Sequence, residues 1–587
     1  MPQAYVQNLR EDLLSTTGNG FAFPKLTTAQ RLAVPLSAAY EGVMVYDLDL
    51  NNVFLWTGSA WESVPASGDS ADREIIFNSN GVLAGDPNLR FLPAPSRLLQ
   101  LREGLFVGRS WSSNAGDREN IIVGGDADGA YDLTLGQGAT ASGLIAIGDG
   151  VMANQLVSGN QNIGIGQSAL ANLGAGTNNI ALGNGALGAN SGSSASVAVG
   201  SSALSVVTLA GTSGNVAVGH LAGQNVTTQW NTVVGYLAGR GAVGSTGQQN
   251  TVVGPSSLQS HTTASFNTVL GSFAGTALLT GSSNVIIGTG ACNLLQNGSS
   301  NVTIGVNALG SMVSGSGHVV IGIAAANLAT AGANPAVVIG QNAARELTNL
   351  GNNPIVAIGG EAARFLTGDP NGSVAIGWAS MQGNAAGDGP GNNVCIGRAA
   401  LWRGTPTAIQ NVCIGSDAMG NLSTSGRRHE GNSNIAIGFA ALRGPSTSGT
   451  TSGNDNVAIG QSALFVSEGC AANVAIGAYA GIAATTASGN TMVGPYVAPN
   501  LTTGASNVLL GHSAGTGMTT GFSNICIGRS ATTSGAAANH ELSIGSATNF
   551  VATNGGATTW FTTAGGPLGY IQLRLNGSAV KIQVFTP

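Results

Sequence analysis

Charged residues are scarce in this chain of 587 residues: they make up 8% of it, whereas ordinary soluble domains carry about 25%. Lysine occurs only at Lys25 and Lys581, and Arg240 is the only charged residue between Gly150 and Ala344. The formal net charge is −6, so the sequence lacks the basic surface with which proteins bind nucleic acid. We therefore expect no nucleic-acid partner.

Long apolar runs and metal-binding cysteine patterns are also missing. No apolar run comes close to the roughly 18 residues of a membrane-spanning helix, so we expect no membrane insertion. Residues 1–14 are polar, and no secretory signal is predicted there. The five cysteines lack metal-ligand spacing, and Cys395, Cys413 and Cys526 stand where a repeat usually has alanine. We interpret them as small buried thiols and predict neither a disulfide nor a metal site.

Patterns that would indicate catalysis are likewise lacking. The six histidines are scattered, and no glycine-rich phrase has the spacing of a phosphate-binding loop. A polysaccharide-degrading enzyme needs paired carboxylates in a cleft, but acidic residues are sparse in the repeats. We therefore expect no enzyme, cofactor or metal. Five aspartates near glycine-rich sequences are interpreted as turn residues: Asp86, Asp117, Asp126, Asp128 and Asp132.

What the chain does contain is a short repeat, Asn-Val-Ala-Ile-Gly or a close relative, which returns every 17 to 18 residues over most of its length. Of the 22 intervals between the closing glycines, 11 are 17 residues long. A fixed short period is typical of one structural unit stacked on itself. The closing glycines are at positions 148, 166, 183, 200, 219, 235, 254, 271, 288, 305, 322, 340, 359, 377, 397, 415, 438, 460, 477, 494, 511, 528 and 545.

Each repeat reads as one coil of a parallel β-roll or β-helix. The alternation predicts a short strand with Val and Ile on one face and Ala, Thr or Cys on the other. Asn before the strand and Gly after it suit sharp corners, and stacked Asn side chains could form ladders. A second short segment, such as 167–170, and a polar loop complete the coil. About 23 coils spaced about 4.8 Å apart would form a shaft of roughly 110 Å.

Both faces of the predicted strand are apolar or small, although a solitary solenoid should present a polar, charged face to water. We therefore predict that the alanine-lined side is buried between neighbouring chains. Three-fold symmetry is the simplest closed arrangement for such a fibre. The alternative is a single glycine-rich solenoid with a neutral polar coat.

The repeat resembles the head repeat of YadA-like trimeric adhesins and related repeats of bacteriophage tail fibres. The resemblance covers about residues 143–550 and implies a left-handed parallel β-roll in which three chains share a core. The coil of this chain is longer than that of the adhesin head, so the resemblance implies an additional loop.

The flanking segments resemble phage proteins rather than adhesins. Residues 27–64 predict two or three strands, with Trp56 and Trp61 capping a small sheet, and resemble a module near the start of tail-fibre proteins. Residues 75–91 resemble a segment of the same proteins. Residues 569–585 predict a hairpin around an Asn-Gly pair. The resulting division is 1–70 virion-attachment module, 71–142 β-rich connecting region, 143–549 β-roll shaft and 550–587 hairpin tip and trimer cap.

These resemblances imply an all-β, elongated homotrimeric fibre: a phage tail fibre in the virion, made in the host cytoplasm. It would bind other tail or baseplate proteins through its N-terminal region and a host glycan, lipopolysaccharide or protein receptor by multivalent contacts. A bacterial trimeric adhesin is one alternative, although it would require a secretion signal and an anchoring barrel. A polysaccharide-degrading tailspike is the other.

Two groups of residues are candidate receptor contacts. Aromatic side chains near the C-terminal hairpin could stack on sugar rings, although for most of them we favour a plug that caps the trimer. An insertion near residue 427 carries the densest charge of the repeats, and insertions in solenoids often form binding loops, although a solvated loop is the default. The candidates are Trp560, Phe561, Tyr570, Arg574, Lys581, Arg427, Arg428 and His429.

Overall fold

A computed structural model of the chain divides into two compact units, residues 1–220 and 221–587, which are described separately. Strands are numbered β1 to β38 along the chain, and the described residues contain one α-helix, α1. The described residues are 25–34, 36, 43–50, 52–64, 73–78, 83–91, 99–101, 105–107, 121–123, 141–153, 158–207, 214–332, 334–348, 355–366, 372–383, 391–403, 405, 408–420, 428–444, 450–451, 453–545, 570–575 and 578–583.

The first unit begins with a four-stranded sheet and a short helix. Strand β1 pairs in parallel with β2, and β2, β3 and β4 form an antiparallel meander, as the alternation predicts. Thr27 caps the helix by accepting a hydrogen bond from the Gln30 backbone N–H, and the Gln30 side chain accepts one from the Thr27 backbone N–H. The elements are β1 Lys25–Leu26, α1 Thr28–Leu32, β2 Met44–Asp47, β3 Asn52–Trp56 and β4 Trp61–Ser63.

A buried ion pair ties the helix to this sheet. The Arg31 Nε donates to Asp47 Oδ2 at 2.7 Å, and the guanidinium lies 3.6 Å from the centre of the Phe54 ring. Both members of the pair are almost fully buried. The rings of Trp56 and Trp61 meet edge to face at 5.6 Å, so the predicted tryptophan contact is confirmed.

A second sheet of four antiparallel strands follows, and after it comes a strand that already belongs to the stacked coils. Strand β9 Ile121–Val123 pairs in parallel with β10, although it precedes the predicted start of the repeats at residue 143. The antiparallel strands are β5 Arg73–Asn78, β6 Leu83–Phe91, β7 Leu99–Leu101 and β8 Leu105–Val107.

The repeats form a parallel β-solenoid in each unit, which confirms the predicted fold class. Each strand pairs in register with the strand one coil away. In the first unit the strands are β9, β10 Ile145–Ile147, β11 Ile163–Ile165, β12 Ile180–Leu182, β13 Val197–Val199 and β14 Val216–Val218.

The second unit contains 18 stacked strands in its described part, and with β10 to β14 they account for all 23 closing glycines. They are β15 Thr232–Val234, β16 Thr251–Val253, β17 Thr268–Leu270, β18 Val285–Ile287, β19 Val302–Ile304, β21 Val319–Ile321, β23 Val337–Ile339, β24 Val356–Ile358, β25 Val374–Ile376, β26 Val394–Ile396, β27 Val412–Ile414, β29 Ile435–Ile437, β31 Val457–Ile459, β32 Val474–Ile476, β33 Thr491–Val493, β34 Val508–Leu510, β35 Ile525–Ile527 and β36 Leu542–Ile544.

Three two-stranded sheets complete the second unit. Two are short parallel pairs beside the main row, and the third is the C-terminal antiparallel hairpin that the sequence predicts. The pairs are β20 Ser314–Gly315 with β22 Ala331–Gly332, β28 Arg428–His429 with β30 Thr450–Thr451, and β37 Tyr570–Leu575 with β38 Ser578–Gln583.

The central residue of each stacked strand faces the interior of its own coil. Ala181, Ala357 and Ala458 are fully buried within the single chain, whereas the flanking Val and Ile residues are half-buried or exposed. The prediction that neighbouring chains cover the alanine side is therefore wrong. The coil folds back over that side and fills it with Ala and Leu residues of the following turn, such as Ala186 and Leu187.

The predicted asparagine ladder is present and lies inside one corner of the coils. The Asn490 Oδ1 accepts hydrogen bonds from the backbone N–H and the side-chain Nδ2 of Asn507, one coil further on. The Asn490 Nδ2 in turn donates to Asn473 Oδ1 and to the Gly504 carbonyl. These side chains are buried, so this rung satisfies its polar groups without water.

The closing glycines stack directly on one another at the opposite end of the strand. Gly183 has a φ of 135°, and a Cβ there would lie 2.6 Å from the carbonyl of Gly200. Such a contact is closer than carbon atoms tolerate, and the backbone conformation itself is one that favours glycine. Both reasons explain why glycine closes the phrase in coil after coil.

Candidate functional site

The C-terminal receptor candidates are placed only in part. Trp560 and Phe561 lie outside the described residues. Tyr570 and Arg574 belong to β37 and Lys581 to β38. Because Lys581 pairs with the residue midway between Tyr570 and Arg574, these three positions share one face of the hairpin ribbon. Their role in receptor binding stays a prediction.

The insertion candidates lie beside the coil that precedes them. Arg427 is outside the described residues, and Arg428 belongs to β28, which pairs with β30. The His429 carbonyl accepts hydrogen bonds from the Thr405 backbone N–H at 2.9 Å and from its hydroxyl at 3.0 Å. The ring of His429 is 2% exposed, so we withdraw His429 as a receptor contact.

The outer face of the stacked strands is the largest apolar surface of the second unit that the described residues show. Its two columns consist of the first and third residue of each strand, and charged side chains are absent from both columns. Ten residues of these columns are clearly exposed: Leu270, Ile396, Ile414, Ile435, Ile476, Val493, Ile525, Ile527, Leu542 and Ile544.

Large exposed aromatic side chains flank this outer face. Trp230 and Phe266 immediately precede the corner asparagine of their coils, and Tyr236, Trp378 and Phe439 immediately follow a closing glycine. A monomeric protein rarely leaves so many neighbouring apolar side chains in water, and such surfaces mark interaction sites. The sequence signal for this surface was the Val and Ile alternation, but it did not reveal which side the coil closes over.

Burial favours the neutral form of three ionisable groups inside the coils, His261, His318 and Cys292. Burial lowers the pKa of His261 and of His318. All five cysteines are free and buried, as predicted, and burial raises the pKa of Cys292 to about 12. A buried neutral thiol is a poor nucleophile. Among the described residues, no group of three or more His, Cys, Asp or Glu side chains could hold a metal ion.

The N-terminal sheet holds a buried charge interaction. Burial by itself would raise the pKa of Asp47, but hydrogen bonds from Arg31, Thr28 and the backbone N–H groups of Leu50 and Asp49 outweigh it and lower the pKa to about 2. The carboxylate therefore stays ionised and holds helix and sheet together. Within the described residues, no helix has the length and apolarity to cross a membrane.

Comparison with known families identifies the segment that contains this sheet. Residues 11–74 match the phage tail like trimerisation region. The trimerisation region thus includes α1 and the strands β1 to β4, and the match supports a phage tail protein that associates with itself as a homotrimer. No curated protein and no solved structure gives a significant match to the chain. The resemblance of the repeats to adhesin heads stays a prediction.

Proposed function

We propose that this protein is a homotrimeric phage tail fibre that attaches the virion to its host. The observation that carries the proposal is the trimerisation region at residues 11–74 in the same chain as a β-solenoid with an uncovered apolar face. A trimerisation region joined to a β-solenoid fits a tail fibre or a tailspike. Attachment requires both a fixed number of chains and a surface for the host.

The outer face of the stacked strands is the proposed contact between the three chains. Its Val, Ile and Leu side chains carry no charge, and the strands keep the same register from coil to coil. Removing the exposed half of one such side chain from water contributes about 1 kcal/mol. A few coils therefore supply enough free energy to offset the loss of freedom when chains associate.

Three chains in one fibre present three copies of any receptor contact. Several weak contacts made together bind a cell surface far more tightly than one, because later contacts form at a high effective concentration. The proposal therefore requires neither a tight single site nor catalysis. The N-terminal trimerisation region would face the tail, and the host receptor would be a surface glycan, lipopolysaccharide or protein.

The test begins with the mass of the full-length protein in solution. A homotrimer has three times the chain mass of 58.0 kDa, which native mass spectrometry resolves directly. The labelled trimer is then mixed with a panel of bacterial strains, and binding to a restricted subset is expected. A stable monomer would contradict the assembly, and equal binding to every strain or to none would contradict attachment.

A further inference from the structure

A polar ridge crosses four consecutive coils of the second unit. All but one of its residues are the fifth or sixth after a closing glycine, so the ridge lies beyond the glycine corner and not on the outer face of the strands. Its position is unusual in a chain whose preceding repeats contain almost no charge. We define the ridge as Glu346, Glu361, Arg364, Gln382, Trp402 and Arg403.

The side chains of the ridge form one continuous hydrogen-bonded chain. The Arg364 Nη1 donates to Glu361 Oε1 at 2.7 Å, and its Nε lies 3.3 Å from Glu346 Oε2. The Gln382 Nε2 donates to Glu361 Oε2 at 3.0 Å, and the Trp402 indole N–H donates to Gln382 Oε1 at 2.5 Å. The chain of contacts connects all four coils.

These contacts fix the ridge in one conformation. Gln382 is 8% exposed, so its amide is held between Glu361 and Trp402 with little freedom. The Arg403 guanidinium lies 4.6 Å from the centre of the Trp402 ring, and the Arg403 backbone N–H donates to the Gln382 carbonyl at 2.7 Å. A pre-ordered surface loses little conformational entropy when a ligand binds.

Charge is distributed unevenly along the ridge. Two carboxylates, Glu346 and Glu361, neutralise Arg364 at one end. Arg403, at the other end, makes no ion pair among the described residues. The Arg403 carbonyl also accepts a hydrogen bond at 3.3 Å from the backbone N–H of His429, which places strand β28 against this end. The Trp402–Arg403 end is therefore cationic.

Solubility alone does not account for the ridge. Between residues 150 and 344 the coils carry a single charged side chain, Arg240, and they share the same solenoid fold. Ion pairs on a protein surface also contribute little to stability, typically less than about 1 kcal/mol. A rigid, charged and aromatic surface that joins four coils by one hydrogen-bonded chain therefore calls for a ligand.

We propose that the Trp402–Arg403 end of the ridge binds an acidic polysaccharide. One sugar ring would lie against the indole and guanidinium planes, and its carboxylate would bind the fork of Arg403, whose geometry suits a two-point contact. The carboxylates of the ridge would accept hydrogen bonds from hydroxyl groups of neighbouring sugars. The inference rests on the proposed attachment function and assigns its receptor class and contact residues.

The experiment measures retention of the full-length protein in gels that contain polygalacturonate, with dextran as the neutral polysaccharide. We expect retention by polygalacturonate but not by dextran, and weaker retention as salt is raised, because exposed charges are screened. R403Q should weaken the apparent affinity about tenfold or more, since a charge-assisted hydrogen bond is lost. W402A should weaken it as well, and R403K should retain part of it.

The matched control is R443A. Arg443 also follows its closing glycine by five residues and lies over an aromatic ring, that of Phe465 at 5.5 Å, but it is not part of the ridge. Its retention should equal that of the unmodified protein. Equal retention of R403Q and R443A, equal binding of dextran and polygalacturonate, or no retention at all would overturn the inference. The mass of each variant is measured in parallel, because loss of the trimer contradicts the proposed function instead.

Discussion

At the residue scale, one buried histidine interrupts the asparagine ladder. His318 occupies the ladder position, its backbone N–H donates to Asn301 Oδ1, and its Nδ1 accepts from the Ala336 backbone N–H at 3.2 Å. Its buried Nε2 has no hydrogen-bond partner among the described residues. An imidazole therefore replaces only part of the hydrogen bonding that asparagine provides in other coils.

We predict that H318N stabilises the protein, and more so at acidic pH. Burial lowers the pKa of His318 in the folded state, so below about pH 6.5 the unfolded chain binds a proton more readily and stability falls. Asparagine removes that loss and can donate to the Gly332 carbonyl, 14 residues further on, as other ladder residues do.

Thermal unfolding at pH 7 and pH 5 measures the effect of H318N. H512N, at an exposed histidine, is the control, and an equal gain in both variants would contradict the prediction.

A second prediction at this scale concerns an intact rung of the ladder. N490A removes five side-chain hydrogen bonds and leaves the Asn507 backbone N–H without its acceptor in a buried corner. We expect a loss of about 3 kcal/mol in the free energy of unfolding, measured by denaturant titration. N500A is the matched control, because Asn500 is exposed and donates only to the Thr516 carbonyl. Similar losses in the two variants would show that burial of the ladder is unimportant.

At the element scale, the capped helix and the first sheet depend on one ion pair. D47N weakens the contact with Arg31 and should expose residues 25–64 to limited proteolysis of the full-length chain. The folded-state pKa of Asp47 is lowered to about 2 from 3.8, so its contribution is present above pH 3.8 and is lost as pH falls towards 2. The exposed Glu62 in β4 provides the control E62Q. Equal cleavage rates for the two variants would argue against the ion pair.

Elements were predictable from sequence wherever alternation and spacing were regular. The strand in Asn456–Gly460 and the C-terminal hairpin follow from period-two patterns that the backbone obeys. Strand β9 was missed because its spacing is irregular. The sequence separation between the glycine after β9 and Gly148 is longer than any interval between two closing glycines. The backbone conformation of the corners could not be predicted from the sequence either. Glu361 and Tyr496 adopt positive φ, a conformation that is found mainly at glycine and asparagine.

At the scale of the whole molecule, the sequence indicated association but assigned it to the wrong face. Alternation places Ala458 on one face of the strand and Val457 and Ile459 on the other. The same alternating sequence would result whichever of these two faces the coil encloses, so the pattern does not identify the enclosed face. The enclosed position holds Val252, Ile286 and Leu509 as well as alanine, so side-chain size does not identify the enclosed side either. The polar ridge was missed as well, because its residues meet only when consecutive coils, 18 to 20 residues apart, are stacked.

The outer face of the strands provides the last prediction. The double variant I476E/I527E places two carboxylates in the apolar columns, where an interface between chains would bury them without partners. Burying an unpaired charge costs several kcal/mol, so we expect trimers to dissociate or to form weakly in native mass measurements. V243E/L294E is the matched control, since Val243 and Leu294 are exposed apolar residues outside the strands. The control adds the same two charges, but it adds them outside the proposed interface, so it should leave the trimer intact. If both variants stay trimeric, the outer face is not where the chains meet, and the trimerisation region must hold them together by itself.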